Sequence, residues 1–311
     1  MAARNYAINA WKGYLCVILA ATMWGTNGVV AKYLFNHGVS PSMLVQIRST
    51  LAFLILFSLL ALFKKDLIRF TGKDALFMTT FGIGGMAMVN FMYFYTISKT
   101  NVATGVLLQY TGPVFITIFA ASFQGDKLTR GKIASLALAF GGCFLMVGGY
   151  SPELLKLNAV GLTCGLITAL FYAFYTLYGE WGLKRYSPWT MVVYGFGFNA
   201  LFWAIFVTPW EVSQKGLQLA QWPHFLYVIV VGTVIPFGLY FQGIKYIRAT
   251  RASITSILEP VVAGVVSFFF LHEVLFFPQI IGGIAVIVAI VLLQAERRAS
   301  LTVRNLRSHD T

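Results

Sequence analysis

Charged residues are scarce in this sequence: they make up 11% of its 311 residues, whereas 58% are apolar. A soluble domain carries about 25% charged residues. So few charges could not cover a soluble surface, which argues against a soluble enzyme, a soluble nucleic-acid-binding protein and a secreted disulfide scaffold. Cysteine is scarce too. Cys16, Cys143 and Cys164 all fall inside apolar runs, where we expect buried thiols without a ligand or disulfide role.

The sequence also lacks the motifs of membrane enzymes and primary pumps. It contains no GxSxG segment and no GxxxxGK[ST] phosphate-binding loop, and no apolar run carries a pair of aspartates. The four histidines, His37, His224, His272 and His309, fall in loops, at the ends of apolar runs or in the C-terminal tail. We therefore expect no enzymatic activity, no metal site and no cofactor.

Long apolar runs are what the sequence has in abundance. Ten of them are long enough to cross a bilayer as helices, since one span takes about 20 residues. Barrel strands would be shorter and would alternate in polarity. The predicted spans are 14–35, 43–63, 75–97, 102–123, 133–149, 159–178, 189–207, 225–244, 252–271 and 280–293.

The positive charges fall unequally on the two sides that these spans define. With the N-terminus inside, 18 of the 23 lysines and arginines lie on the inner side and 3 on the outer side, while Lys32 and Arg48 lie within spans. Cytoplasmic loops carry an excess of lysine and arginine. We therefore predict a multi-pass protein of the cell inner membrane with both termini cytoplasmic. Attraction to the anionic inner leaflet then accounts for the net charge of +13 without nucleic acid.

The chain repeats itself at a shift of 147 residues. Without a gap, the shift pairs Ser40-Pro41 with Ser187-Pro188, Tyr93-Phe94 with Tyr240-Phe241, and Pro113 with Pro260. Each copy holds five spans, over residues 14–149 and 159–294, and a basic cytoplasmic tail follows at 295–311. Because five is odd, the second copy enters the membrane from the opposite side. The predicted fold is all-α and integral to the membrane, with ten transmembrane helices in two inverted five-helix repeats.

Three features within the spans could carry function. Pro113 and Pro260 lie at matched depth, where they mark either a hinge at a binding site or a structural kink. Glu259 is the only acid well inside a span, so it faces a cavity, pairs with a cation or is protonated; proton coupling and a structural role are both open. Arg48 could pair with Glu259, bind a carboxylate substrate or donate to backbone carbonyls.

Polar and aromatic side chains also collect in the middle of the spans. Lipid-facing positions need no amides, so the set predicts a polar, aromatic-lined substrate cavity that offers stacking and cation–π contacts. Any single tyrosine could equally serve helix packing. The predicted substrate-binding residues are Trp24, Asn27, Asn90, Tyr93, Gln109, Tyr110, Tyr175, Tyr240 and Gln242.

These residues carry a family likeness. The segment Trp24-Gly25-Thr26-Asn27, followed by Pro41 and Arg48, resembles the first two helices of EamA-type members of the drug/metabolite transporter superfamily. Glu259-Pro260, Glu273 and Gly282-Gly283 resemble the end of its second repeat, and the likeness covers residues 14–294. It implies ten helices around a central cavity and export of metabolites or drugs, as in the YddG-type amino-acid exporters. Gly112 stands where the family pattern has glutamate, which argues against two symmetric coupling carboxylates.

We therefore expect a secondary transporter that exports small metabolites, chiefly amino acids and aromatic ones among them, by alternating access. The expected partners are a small-molecule substrate, the lipid bilayer and, if Glu259 is a coupling site, protons; monomer and homodimer are both open. The alternatives are a channel-like facilitator, a carrier of drugs or of other metabolites such as nucleosides or vitamins, and a membrane partner that transports nothing.

Overall fold

The structure, a computed structural model, describes residues 2–69, 71–100, 102–151, 159–207, 221–271 and 274–307. Over these residues the regular structure is helical, without strands. The α-helices are α1 (Ala2–Asn36), α2 (Pro41–Phe63), α3 (Ala75–Thr79), α4 (Met88–Lys99), α5 (Val102–Gln109), α6 (Gly112–Phe123), α7 (Arg130–Met146), α8 (Ala159–Gly182), α9 (Pro188–Ala204), α10 (Trp222–Ile229), α11 (Ile235–Ser256), α12 (Glu259–Leu271) and α13 (Phe277–Arg307). Two π-helical stretches, Thr80–Ala87 and Val230–Val234, follow α3 and α10.

Serine and proline begin equivalent helices in the two halves of the chain. The Ser40 hydroxyl accepts a hydrogen bond from the backbone N–H of Met43 at the start of α2. The Ser187 hydroxyl accepts one from Thr190 at the start of α9. Proline follows each serine, at a position where a missing N–H costs the helix nothing. These local signals explain why both helices begin where they do.

Breaks between helices recur at a spacing of 147 residues. The chain turns between Gln109, which ends α5, and Gly112, which begins α6; it turns again between Ser256 and Glu259, the ends of α11 and α12. Each break precedes a proline, which cannot donate to the carbonyl four residues earlier. The predicted fourth and ninth spans are therefore each interrupted rather than continuous. The π-helical stretch Val230–Val234 also lies 147 residues after the last five residues of Thr80–Ala87.

Seven helical stretches of the described residues are long and apolar enough to cross a membrane. They are Ala10–Asn36, Pro41–Phe63, Gly72–Lys99, Val102–Phe123, Ala159–Gly182, Trp222–Ser256 and Phe277–Glu296. The long stretch Trp222–Ser256 contains the predicted eighth span and the start of the ninth, and its helical path is broken at Arg248, where φ is 71° and ψ is 162°. α7 and α9, of 17 residues each, overlap the predicted fifth and seventh spans; each helix begins before its span and ends three residues short of it.

The helices at the two ends of the chain are longer than the predicted spans. α1 begins at Ala2, and α13 continues to Arg307, so the predicted tail at 295–311 is helical over most of its length. Hydropathy marks only the part of a helix that lies in lipid, whereas helical hydrogen bonding can continue beyond it. Glu273 and His272 lie outside the described residues.

Polar contacts between loops identify the two ends of the helix bundle. At the near end, where α1 begins, Arg185 forms an ion pair with Asp74 in the segment that follows α2, with an N–O distance of 2.9 Å. At the far end, where α1 finishes, the side-chain amide of Gln221 donates to the backbone carbonyl of His37. Lys32 also lies towards the far end, where it donates to two backbone carbonyls at the end of α4, at 2.9 and 3.0 Å.

Candidate substrate site

Glu259 is the first residue of α12, directly after the second helix break. Because Pro260 has no N–H, the backbone carbonyl of Ser256, four residues before it, has no helical donor. The Tyr110 hydroxyl, which comes from the break in the first half, lies 2.7 Å from that carbonyl oxygen and 2.7 Å from Oε2 of Glu259. Tyr110 therefore joins the two breaks in the interior of the protein.

The number of protons available at this contact determines whether an ionised or a protonated Glu259 satisfies its hydrogen bonds. The Tyr110 hydroxyl carries one proton, while the Ser256 carbonyl and an ionised carboxylate can only accept. With an ionised Glu259, Tyr110 can thus donate to only one of its two neighbours. A protonated Glu259 donates to Tyr110, which then donates to Ser256, so that all three groups are satisfied. The Tyr93 hydroxyl, 3.4 Å from Oε1, adds a weaker contact.

Arg48 is buried, with 2% of its surface exposed, and is not paired with Glu259. Among the described residues its guanidinium makes no ion pair, and its Nε has no hydrogen-bond partner. It is held instead against aromatic faces: its central carbon lies 5.0 Å from the ring centroid of Phe94 and 5.8 Å from that of Phe237. A buried cation that has no ion pair can still take an anionic partner.

A cavity of about 40 Å³ brings Arg48 and Glu259 to one site. We call it the central cavity. Six of the nine predicted substrate-binding residues line it: Trp24, Asn27, Asn90, Tyr93, Gln109 and Tyr175. A volume of this size holds only about three water molecules. The structure therefore has the polar site in a narrow state.

The other three predicted residues do not line the central cavity. The Tyr110 hydroxyl contacts Oε2 of Glu259, and Tyr240 packs against Trp24 with 5.2 Å between ring centroids. The Gln242 side chain donates to the Tyr246 hydroxyl at 3.1 Å. The position of a residue along a span does not say which way its side chain points. Of the two predicted hinge residues, Pro113 lies in the first turn of α6 and Pro260 in that of α12.

Five residues of the cavity wall are not among the predicted site residues: Val89, Phe94, Tyr172, Gly232 and Phe237. A Cβ on Gly232 would lie 2.1 Å from Oδ1 of Asn27, so glycine is what lets α1 approach this closely. The same Oδ1 is buried and has no hydrogen-bond partner. The repeat offered a signal for Gly232, because Gly85 stands 147 residues before it. No sequence pattern distinguishes Phe237, because it is an apolar residue in an apolar run.

Buried hydroxyl groups form a layer beside Glu259. The Tyr172 hydroxyl lies 2.9 Å from the Tyr240 hydroxyl and 2.9 Å from Oγ of Ser256. The Tyr240 hydroxyl lies 3.4 Å from Oγ1 of Thr176. These contacts tie α8 to both ends of α11, and so they hold the break that carries Glu259 in place.

The two halves of the chain match a known family. The model of the EamA-like transporter family matches residues 11–148 and again residues 159–294. The chain belongs to the EamA-like transporter family. Its two family matches account for most of the sequence, and the central cavity is lined from both.

Known relatives of this EamA protein are transporters. It is 32% identical to the uncharacterized inner membrane transporter YicL of Salmonella typhimurium, over 92% of this chain and 96% of that one. It is 26% identical to the threonine/homoserine exporter RhtA of the same species, over 94% and 93%. A crystal structure at 18% identity superposes with a TM-score of 0.71, over 94% of this chain and 98% of that one, and shows the same fold. The protein is a multi-pass membrane transporter.

Proposed function

We propose that this EamA protein is a secondary transporter that exports amino acids by alternating access. The observation that carries the proposal is a buried cation, Arg48, and a buried acid, Glu259, that line one cavity without pairing. An amino acid is a zwitterion, so its carboxylate suits the guanidinium and its ammonium group suits the carboxylate. The faces of Trp24 and Tyr175 add favourable surfaces for a cation or a ring.

Competition at Glu259 couples the substrate to protons in this proposal. In the empty site a proton on Glu259 completes the hydrogen bonds with Tyr110 and Ser256. An ammonium group binds the ionised carboxylate instead. Proton and substrate therefore occupy the site in turn, and proton entry into the cell drives amino-acid export. The sequence offers no mirrored carboxylate, since Gly112 occupies the equivalent position.

Substrate binding requires the central cavity to widen. Its volume of about 40 Å³ lies far below the range of about 300–1,000 Å³ that small-molecule sites occupy. Inverted repeats supply such a change, because one half rocks against the other around a fixed site. The breaks before Pro113 and Pro260 are the proposed hinges.

The proposed topology has ten spans in two inverted repeats, 14–149 and 159–294, with both termini in the cytoplasm and the near end facing it. Seven spans are the apolar stretches described above; α7, α9 and the segment that follows Arg248 supply the other three. The ratio of 18 to 3 basic residues supports the orientation. The inner membrane is the proposed location, as in the name of YicL.

Flux measurements in proteoliposomes test the proposal. We expect exchange of labelled amino acids, with threonine and homoserine tested first because of the name of RhtA, then the aromatic amino acids. We expect the methyl esters to be poor substrates, because they lack the carboxylate that Arg48 binds. Arg48→Gln should lose the preference for the free acid and raise KM about 10- to 100-fold, the worth of a charged hydrogen bond.

Glu259→Gln tests the coupling. We expect it to abolish flux driven by a pH gradient, whereas Asp66→Asn, at an exposed acid, should leave flux unchanged. Coupled flux that survives Glu259→Gln would overturn the coupling role. Flux without counterflow exchange would instead indicate a channel-like facilitator. Transport of a drug, nucleoside or vitamin, with no flux of any amino acid, would show that the substrate belongs to another class. Absence of any flux would favour a membrane partner that transports nothing.

A further inference from the structure

Two regions that correspond under the inverted repeat differ in how open they are. At the far end, a pocket of about 520 Å³ lies between α1, α5, α12 and the start of α13. We call it the far-end vestibule. Five of its lining residues are Tyr33, Ala103, Ala263, Gly264 and Gln279. Each of the five is partly or fully exposed.

The corresponding positions at the near end are packed. A shift of 147 residues takes those five residues, in order, to Glu180, Thr250, Ile116, Thr117 and Lys132. Apart from Glu180, none of these is more than 4% exposed. Such burial is unusual for a lysine, which is rarely buried unless it is paired. The same position in the fold is thus an open pocket at one end and a closed interior at the other.

One polar cluster joins elements of the two repeats at the near end. Nζ of Lys132 donates to Oδ1 of Asp126 at 2.6 Å and to the backbone carbonyl of Lys127 at 2.9 Å. The Thr250 hydroxyl donates to Oδ2 of the same aspartate at 3.0 Å. Asp126 lies between α6 and α7, whereas Thr250 belongs to α11. We call Asp126, Lys132 and Thr250 the Asp126 latch; it joins the two repeats.

A second cluster lies at the same end, and its three members also border the near-end groove described below. Nε of Arg248 donates to Oε1 of Glu180 at 3.0 Å, and its NH2 group lies 3.5 Å from the side-chain oxygen of Gln124. Among the described residues, Arg248 is the one non-glycine residue with a positive φ. Such a backbone conformation is strained for a residue with a side chain and persists only where the surroundings hold it. The contacts with Glu180 and Gln124 are part of what holds it.

The near end also has a groove of about 780 Å³, but it is a different space. It lies between α6 and α8 and is lined by exposed rings such as Phe119, Phe123 and Trp181. Of the five counterparts of the vestibule residues, only Glu180 borders it. The groove therefore faces outwards from the bundle and does not replace the closed near-end vestibule.

A thin wall separates the far-end vestibule from the central cavity. Gly28 stands in this wall: a Cβ there would lie 2.8 Å from Cγ1 of Val102 and 3.4 Å from the Tyr93 hydroxyl. Val102 lines the vestibule, and Tyr93 lines the central cavity. Pro260, next to Glu259, also borders the vestibule.

We propose that the far-end vestibule is the exit route of the substrate, and that the Asp126 latch and the Arg248–Glu180–Gln124 contacts close the equivalent entry route at the near end. The proposal rests on the proposed transport function for the direction of movement. The vestibule suits release, because Lys32 is already committed to two backbone carbonyls and none of the described lining residues is an acid. Opening the near end requires both sets of contacts to break while the far end packs together.

Cysteine labelling from each side of the membrane tests this assignment. In a background with Cys16, Cys143 and Cys164 replaced by serine, Ala263→Cys and Ile116→Cys form a matched pair, since the 147-residue shift pairs these positions. A membrane-impermeant maleimide should modify Ala263→Cys from the far side. It should modify Ile116→Cys at least about tenfold more slowly from either side, as expected for a minor open state.

Breaking the latch should reverse the pattern. Asp126→Asn should speed near-side labelling of Ile116→Cys and slow far-side labelling of Ala263→Cys, each about tenfold. Thr250→Val, which keeps the ion pair, should act in the same direction more weakly and serves if Asp126→Asn misfolds. Asp66→Asn removes an exposed ion pair at the same end and should change neither rate.

Two results would overturn the proposal: equal labelling of the two cysteines in the intact protein, or rates that neither latch variant changes. Labelling needs no substrate, so its outcome is independent of the amino-acid assignment. The expected labelling with no amino-acid flux would refute the substrate class and leave the vestibule and latch standing. Amino-acid flux with equal labelling of the two cysteines would support the substrate class and refute the vestibule and latch.

Discussion

Removing one hydroxyl, in Tyr110→Phe, should destabilise the protein well beyond an ordinary surface change. The substitution leaves the Ser256 carbonyl buried without a donor, because Pro260 cannot supply one. An unsatisfied buried carbonyl costs about 1–3 kcal/mol, and the lost bond to Glu259 adds about 1 kcal/mol. The expected loss in the free energy of unfolding is therefore about 2–4 kcal/mol.

Tyr93→Phe is the matched control for this prediction. Its hydroxyl contacts the same carboxyl of Glu259, but at 3.4 Å and without a second partner at the break. A bond at this distance is weak, so the expected loss is below about 1 kcal/mol. Equilibrium unfolding in mixed micelles measures both values. Equal losses for the two variants would refute the reasoning, because they would show that the carbonyl freed by Pro260 does not depend on Tyr110.

Two further predictions concern packing and pH. A Cβ on Gly142 would lie 2.6 Å from the carbonyl oxygen of Gly282, whereas the neighbouring Gly141 faces open space; Gly142→Ala should cost about 1–3 kcal/mol of unfolding free energy and Gly141→Ala should cost nothing. Burial by itself would raise the pKa of Asp126, but the hydrogen bond and charge of Lys132, the Thr250 hydroxyl and the charge of Arg248 hold that pKa below its usual range. A lowered pKa means that the latch is complete above the usual aspartate value of about 3.9 and weakens only as the pH falls below it. Because maleimide reacts with the thiolate, whose fraction falls with pH, the readout is the labelling rate of Ile116→Cys relative to that of Ala263→Cys. This ratio should stay low between about pH 8 and about pH 5, and an increase within that range would contradict the ion pair.

Much of the fold could be predicted from the sequence because it depends on local or cumulative properties. Apolar length predicts where helices lie in lipid, and the 147-residue spacing predicts equivalent helix starts at Ser40 and Ser187. Proline predicts a disturbed helix before Pro113 and Pro260, although it does not predict that each disturbance separates two helices. The boundaries at Ala2 and Arg307 were missed because hydropathy detects lipid rather than helix.

The candidate site, like the fold, could be predicted only in part from the sequence. Composition singles out Arg48 and Glu259, since an ionisable group in a span is costly enough to need a reason. The distance and orientation between these two side chains depend on how their helices rotate and pack, which a pattern along the sequence does not specify. Only the tertiary structure shows that the two are unpaired, that Gln242 points elsewhere and that Phe237 joins the wall.

The sequence by itself determined that this protein crosses the membrane many times as two related halves with few charges inside. Hydrophobic burial in lipid is additive along the chain, so it can be read from composition and spacing. The tertiary structure decided that the donor-less carbonyl of Ser256 meets Tyr110, and that one end is latched by Asp126 while the other is open. Those features depend on contacts between residues more than 100 positions apart, and only packing brings such residues together.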